Sequence, residues 1–284
     1  MPLTSILSEL QRAREGGYAV PCFDTVEMLG TEGILDALAE RRAPGIVAIW
    51  SGMLDRPHAR AFAAYVRAMA EEAPVPVSLI LDHGASFEHC MLALSLGFSD
   101  VMYDGSQLPL EENIANTRLI VRAAHAVGAA VEAELGHVGR GAEYQRFGGQ
   151  GKGFTDPGAV EYFVAETGVD FLAVAVGTAH GLYEGDPRLD LELLGQIRRR
   201  VDVPLVLHGG SGLSEEQFRA AIAAGISKVN IFTDLAVAAS ARLIAAATAE
   251  DASYFGMTRT IREAFQERCT HYLDLFGATG KAEG

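Results

Sequence analysis

Cysteine is scarce in this 284-residue chain: Cys22, Cys90 and Cys269 stand far apart, with no Cys-x-x-Cys spacing. That excludes a disulfide framework and a knuckle of paired cysteines around a structural zinc. Basic charge is short as well. Twenty-three Lys and Arg face 37 Asp and Glu, a net charge of −14 that disfavours nucleic acid and anionic membrane as partners. A phosphate ligand must then be gripped locally, because the field of the whole molecule does not draw it in. No apolar run approaches the roughly 18 residues of a membrane span. The opening "MPLTSILSELQRAREGG" mixes polar and apolar residues at helical spacing and carries acid, unlike a secretory signal. The expectation is a cytoplasmic protein with no membrane partner.

What is present is a rhythm. Short β-rich runs recur at "YAVPCF", "GIVAIW", "VSLILDH", "DVMYDG", "AAVEAELG", "DFLAVAVG", "VPLVLHGG" and "SKVNIFT". Between them lie stretches such as "HARAFAAYVRAMAEEA" and "SEEQFRAAIAAG", whose apolar residues return every three or four positions. About eight strand–helix repeats with nearly continuous apolar strands predict a parallel sheet covered by helices, closed as a single-domain (β/α)8 TIM barrel. The length suits one such barrel. An open doubly wound sheet is the alternative, but nearly every strand ends on a reactive residue: Asp24, Ser51, Asp82 with His83, Asp104, Glu134, His208, and Asn230 with Thr233. A barrel gathers all those ends at one mouth, where barrel active sites sit.

One segment breaks the rhythm. Residues 135–158, "LGHVGRGAEYQRFGGQGKGFTDPG", are glycine-rich and lack apolar periodicity. Connections this long are surface loops or mobile lids over a site.

Of the eight histidines, His58, His89, His125, His137 and His271 sit in helical or loop patterns and read as solvated or capping residues. His83, His180 and His208 differ: each lies at or just past a strand end and each is followed by glycine, which lets the chain turn and a ligand approach. Three neutral imidazoles at one mouth suit a catalytic zinc with an open position. Cobalt, manganese and iron remain open on ligand type alone. Asp82 precedes a candidate ligand, and Glu132 and Glu134 alternate so that both face one side of their strand. A carboxylate such as Asp104 either caps the next helix or serves a metal as acid, base or ligand of a second cation. Two stretches, "HGGSGLSEE" and "NIFTDL", place Gly209, Gly210, Ser211, Asn230 and Thr233 just before helices, where backbone N–H groups bind phosphate without a cation.

Taken in order, "LDHG", "GFSDVMYDGS", "VEAELG", "VGTAHGLY", "LHGGSGL" and "KVNIFTDL" resemble the class II ketose-bisphosphate aldolases, in particular the tagatose-bisphosphate aldolase type, through nearly the whole chain. The resemblance implies zinc on His83, His180 and His208, with Asp104 and Glu134 at positions that hold a second or displaced divalent or monovalent cation. It implies that Asp82 exchanges a proton with the substrate hydroxyl at the new carbon–carbon bond. Dihydroxyacetone phosphate falls to Gly181, Gly209, Gly210, Ser211 and the run Asn230, Ile231, Phe232, Thr233, and Asp24 and Ser51 complete the substrate-binding set. The implied reaction is reversible aldol cleavage of a ketose phosphate through a metal-stabilised enediolate, with no lysine Schiff base. A homodimer or homotetramer is implied as well.

The chain also departs from the family. Cys22, Phe23 and Asp24 stand where Ala-Phe-Asn is common, and Asp251, Ala252 and Ser253 replace an Asp-Pro-Arg that meets the distal phosphate. Arg259 and Arg262 are the nearby candidates to replace that arginine. Phe232 takes a place where smaller or acidic residues are usual. Together these changes predict an aldehyde without the usual distal phosphate. The loop base falls on Ala142, and Glu143 beside it is the candidate replacement. Alternatives are an ordinary fructose- or tagatose-bisphosphate aldolase, a metal-dependent barrel hydrolase, and a non-catalytic stabilising subunit.

Overall fold

The computed structural model describes residues 3–141, 153–183, 185 and 187–282. Eight parallel strands close in sequence order: β1 (Val20–Asp24), β2 (Gly45–Trp50), β3 (Val77–Gly84), β4 (Asp100–Tyr103), β5 (Ala130–Leu135), β6 (Phe171–Val174), β7 (Leu205–Leu207) and β8 (Ile226–Ile231). β1 pairs with both β2 and β8, so the sheet has no free edge. Helices follow the strands, as the periodicity predicts. The helix Glu215–Ala223 starts on a reciprocal cap between Ser214 and Gln217, visible in "SEEQ".

Alternation along the strands sorts the core into two layers. Val20, Cys22, Ile46, Ala48, Ile80, Met102, Ala130, Phe171, Ala173 and Val206 fill the barrel interior. Residues one step out of phase, such as Leu79, Leu81, Val131, Ala133, Val229 and Ile231, join the larger cluster under the helices.

The N-terminal helix Leu7–Gly16 stoppers the bottom of the barrel, sending Ile6, Leu10 and Ala13 into the interior layer. Asp100, fully buried at the start of β4, fastens it there. Its carboxylate accepts hydrogen bonds from Ser5 Oγ (2.6 Å), Ile6 N (3.0 Å), Ser78 Oγ (2.5 Å), Ser99 Oγ (3.3 Å) and Ala130 N (3.2 Å). Five donors offset the cost of burying the carboxylate. No helix among the described residues is long and apolar enough to cross a membrane.

Candidate active site

In a regular strand Asp82 and His83 would face opposite sides. β3 resolves this with a bulge: Leu81 pairs with Val101 and Gly84 with Tyr103, so three steps on β3 oppose two on β4. His83 occupies the extra position with φ +48°, a left-handed conformation rare for a residue with a Cβ. The adjacent acid and imidazole thereby reach the same mouth. Strain of this kind persists where the surroundings over-determine it, commonly at functional sites.

Three imidazoles converge there. His83 Nε2 lies 3.1 Å from His180 Nε2, and the candidate ligand atoms of His83, His180 and His208 all lie within 4.8 Å of one another. His180 is fixed by backbone hydrogen bonds to the segment after β5: His180 N donates to Gly139 O (2.8 Å) and Gly141 N to His180 O (2.7 Å). His208 follows β7, and the backbone of Gly209 (φ +69°) passes so close to Ala179 that a Cβ would sit 2.4 Å from its carbonyl oxygen. Only glycine fits that turn.

His208 is held by a buried chain of polar groups. Its Nε2 meets Glu132 Oε1 at 2.7 Å. Lys228 Nζ donates to Glu132 Oε2 and to Asn230 Oδ1, both at 2.7 Å, and Asn230 Nδ2 donates to Asp82 Oδ1 at 2.9 Å. Lys228 and Glu132 are both fully buried. Burial opposes the charge on Lys228, but the surrounding acids, Glu132 and Asp82 among them, outweigh it and raise its pKa. With Nε2 engaged, His208 Nδ1 faces the other two rings, buried and without a hydrogen-bond partner among the described residues. A buried imidazole nitrogen left bare is costly unless something binds it. Tetrahedral zinc, at 2.0–2.1 Å from each nitrogen, sets its ligands about 3.3 Å apart; the 3.1 Å between His83 Nε2 and His180 Nε2 matches that spacing, and the donor set of three imidazoles within 4.8 Å suits such a metal.

Carboxylates surround the rings. His83 Nδ1 meets Asp104 Oδ2 at 2.8 Å, which fixes its tautomer and leaves Nε2 for the cluster. Glu134 Oε1 accepts from Val138 N (3.1 Å), while its buried Oε2 has no hydrogen-bond partner among the described residues and lies 3.9 Å from His83 Nδ1. His83, Asp104 and Glu134 form a second group able to hold a cation. Burial pushes Glu134 up to about 8, with help from the Asp104 charge. Burial disfavours the His83 cation, but Asp82, Asp104 and Glu134 together raise it to about 10. Burial and the His83 charge lower His180 to about 4 and hold His208 well below the ordinary imidazole value. Asp104 falls below the carboxylate range because its hydrogen bonds from His83 and Ser106 outweigh burial.

A cavity of about 700 Å³ opens over these groups. It brings together Asp24, Asp82, His83, Asp104, His180, Gly181, His208, Gly209, Gly210, Ser211, Asn230, Phe232 and Thr233. Glu134 sits buried behind His83. Ser51 and Ile231 do not line it. Ile231 packs under the helices with Val229, and Trp50, in phase with Ala48, takes the wall position expected of Ser51. Arg259 and Arg262 do not reach the cavity either: Arg262 pairs with Asp36 and Glu32 and Arg259 with Glu263 on the exterior. Burial, then the charge of Asp82, raises Asp24 well above the carboxylate range. Residues 142–152, with Ala142 and Glu143, lie outside the described residues.

The family model for class II fructose-bisphosphate aldolase matches residues 4–281. The chain belongs to that family. A fructose-bisphosphate aldolase of Thermus caldophilus is 38% identical, the match covering 99% of this chain and 100% of that one. The 6-phospho-5-dehydro-2-deoxy-D-gluconate aldolase of Bacillus licheniformis is 39% identical over 99% of this chain and 97% of its own. The crystal structure of the YdjI aldolase from Escherichia coli K12 superposes with a TM-score of 0.89 at 35% identity, covering 99% of this chain and 100% of that one.

This class II aldolase, from a metal-dependent family, carries site features that sequence reasoning missed. Lys228 is the clearest: in "ISKVNI" it shares the phase of Asn230, which places a lysine inside the barrel, and that alternation was available as a signal. His137, read as an ordinary loop residue, lines the cavity with its Nδ1 3.2 Å from Ser106 Oγ. Gln107 and Arg140 also line it, and no spacing rule marks them.

Proposed function

We propose that this aldolase uses zinc to cleave, reversibly, a ketose phosphate into dihydroxyacetone phosphate and an aldehyde without the usual distal phosphate. One observation carries the reading: His208 Nδ1, without a hydrogen-bond partner among the described residues, faces His83 and His180 beside Asp82, at the edge of a cavity with an uncharged glycine and serine cradle. His83, His180 and His208 would hold the zinc, which when bound supplies Lewis-acid polarisation of the substrate carbonyl. Asp104 and Glu134 would accept a second cation.

The chain's own groups carry the proton transfers. In the cleavage direction Asp82, oriented by Asn230, takes the proton of the hydroxyl at the bond to be broken. That bond breaks, the aldehyde leaves, and its electron pair passes to the ketone half. We assign to Glu143 the proton that then returns to carbon, completing dihydroxyacetone phosphate. The phosphate rests against Gly181, Gly209, Gly210 and Ser211 and the start of the helix Thr233–Ala247. Ser211 Oγ accepts from Asp234 N (3.3 Å), and the N-cap residue Phe232 gives that helix no side-chain cap of its own.

Two points support a single phosphate. Arg259 and Arg262 are engaged outside the cavity, and the Bacillus licheniformis relative is named for a substrate with one phospho group on a gluconate. The rival specificity, an ordinary fructose- or tagatose-bisphosphate, is favoured by the name of the Thermus relative. Cleavage of either bisphosphate far faster than of any ketose monophosphate would establish that rival. Exposed Tyr254 and Phe255 support assembly into a dimer or tetramer, which light scattering tests.

The deciding experiment needs no aldehyde. Zinc-dependent, stereospecific exchange of solvent deuterium into dihydroxyacetone phosphate, lost on chelation, is the expected NMR result. Zinc bound without exchange would sink the reading. Glu143→Ala is expected to lose exchange while keeping zinc.

A further inference from the structure

We propose that Arg140 recognises a carboxylate at the far end of the aldehyde half of the substrate and so selects which aldehyde this enzyme accepts. The proposal rests on the one-phosphate reading above. Among the described residues lining the cavity, Arg140 is the only lysine or arginine. Lys228 lies fully buried below, committed to Glu132 and Asn230. Arg140 has no hydrogen-bond or ion-pair partner among the described residues, whereas Arg262 is spent on Asp36 and Glu32 and Arg268 on Asp234. An arginine exposed in a substrate cavity and left without a carboxylate in a chain of net charge −14 is a group kept for an anionic ligand.

Its place is set by the catalytic cluster itself. Arg140 bridges to His180 along the backbone, flanked by the Gly139 and Gly141 hydrogen bonds to that residue. The guanidinium therefore springs from a point tied to a metal-binding ring, although the segment beyond it is long. The phosphate cradle of Gly209, Gly210 and Ser211 needs no cation, because backbone N–H groups and a helix start serve it. The remaining anion to be met is one at the opposite end of the substrate. Asp82 and Asp104 already load the cavity with negative charge. A single planar guanidinium matches one carboxylate with two parallel hydrogen bonds and equal charge. A phosphate dianion would leave one charge unmet beside those acids.

The test compares two aldehydes of equal reach, succinic semialdehyde and its methyl ester, in zinc-loaded aldol addition to dihydroxyacetone phosphate. The native enzyme is expected to favour the acid by about tenfold or more in kcat/KM. Arg140→Gln should remove that preference, mainly through KM for the acid, and Arg140→Lys should restore part of it. The loss with the acid should exceed, by about tenfold, any loss with the ester or in deuterium exchange into dihydroxyacetone phosphate. No preference in the native enzyme, a preference that survives Arg140→Gln, or an equal fall with acid and ester would each overturn the proposal. A preference for glyceraldehyde 3-phosphate that Arg140→Gln abolishes would overturn the choice of carboxylate. Absence of deuterium exchange in the native enzyme would instead be a failure of the aldolase reading, separate from any result on Arg140.

Discussion

The buried carboxylate at one end of this barrel and the buried polar groups of the site at the other are treated in opposite ways. At the bottom, the Asp100 carboxylate accepts five hydrogen bonds and ties the N-terminal helix to the strands. At the mouth, His208 Nδ1, Glu134 Oε2 and Asp24 Oδ1 are buried without partners among the described residues. Asp100 is satisfied by the protein alone, although Arg14 Nε and Ser227 Oγ toward the same end are also buried without partners among the described residues; what sets the mouth apart is that its unpartnered atoms lie at or just behind the cavity. The contrast separates stability from function within one sheet, as expected where a site keeps groups unpaired for a ligand.

The strongest way to sharpen that contrast is to remove a ring from the mouth. His208→Ala is expected to lose zinc and cut deuterium exchange at least about a thousandfold, since the remaining two rings leave the metal under-held. Elemental analysis alongside the exchange rate checks it. Lys228→Met comes next. It leaves the Glu132 carboxylate buried without its cation, held by His208 Nε2 alone, so a loss of about 3–5 kcal/mol is expected in urea unfolding. Zinc affinity should fall by about 10- to 100-fold, because the group that orients His208 is disturbed.

Breaking the bottom instead should cost stability and spare chemistry. Asp100→Ala removes the shared acceptor of five donors and is expected to lower stability by about 2–4 kcal/mol while leaving zinc content and kcat near native. A matching loss of zinc would erase the distinction between the ends.

The smallest expected effect is a pH slope in the zinc-free protein. Glu134 is raised to about 8 from 4.5, and His83 to about 10 from 6.5. For a group raised on folding, the stabilisation is fully present below the unfolded value and is lost as pH rises through the folded one. His180, lowered to about 4 from 6.5, acts oppositely but only below about pH 6.5. The Tm of the zinc-free protein is therefore expected to fall from pH 6.5 to 10. Zinc should flatten that slope, because it holds His83 neutral. An equal slope with and without zinc would place the titration elsewhere.

Much of this was legible along the chain. Strand–helix alternation predicts the barrel, and three His-Gly pairs at strand ends predict which rings meet, because the ends of parallel strands in a closed sheet share one face. Asp82, Asn230 and the glycine and serine turns follow from the same rule. The rule failed where phase mattered within a step or two. Ser51 and Ile231 lie one residue from Trp50 and Asn230, and a single step moves a side chain to the other face of the sheet. His137 and Arg140 escaped because loop residues obey no period.

Composition, period and the order of motifs were enough to determine a (β/α)8 barrel of the class II aldolase family with His83, His180, His208 and Asp82 at its mouth. Tertiary structure alone decided that a bulge turns His83 inward, that Lys228 and Glu132 clamp His208, and that Arg140 lies on the cavity wall without a partner among the described residues. The physical reason is range. Periodicity records which face a residue takes within its own element, whereas a bulge, a buried charge chain and a cavity wall depend on atoms brought together from distant strands.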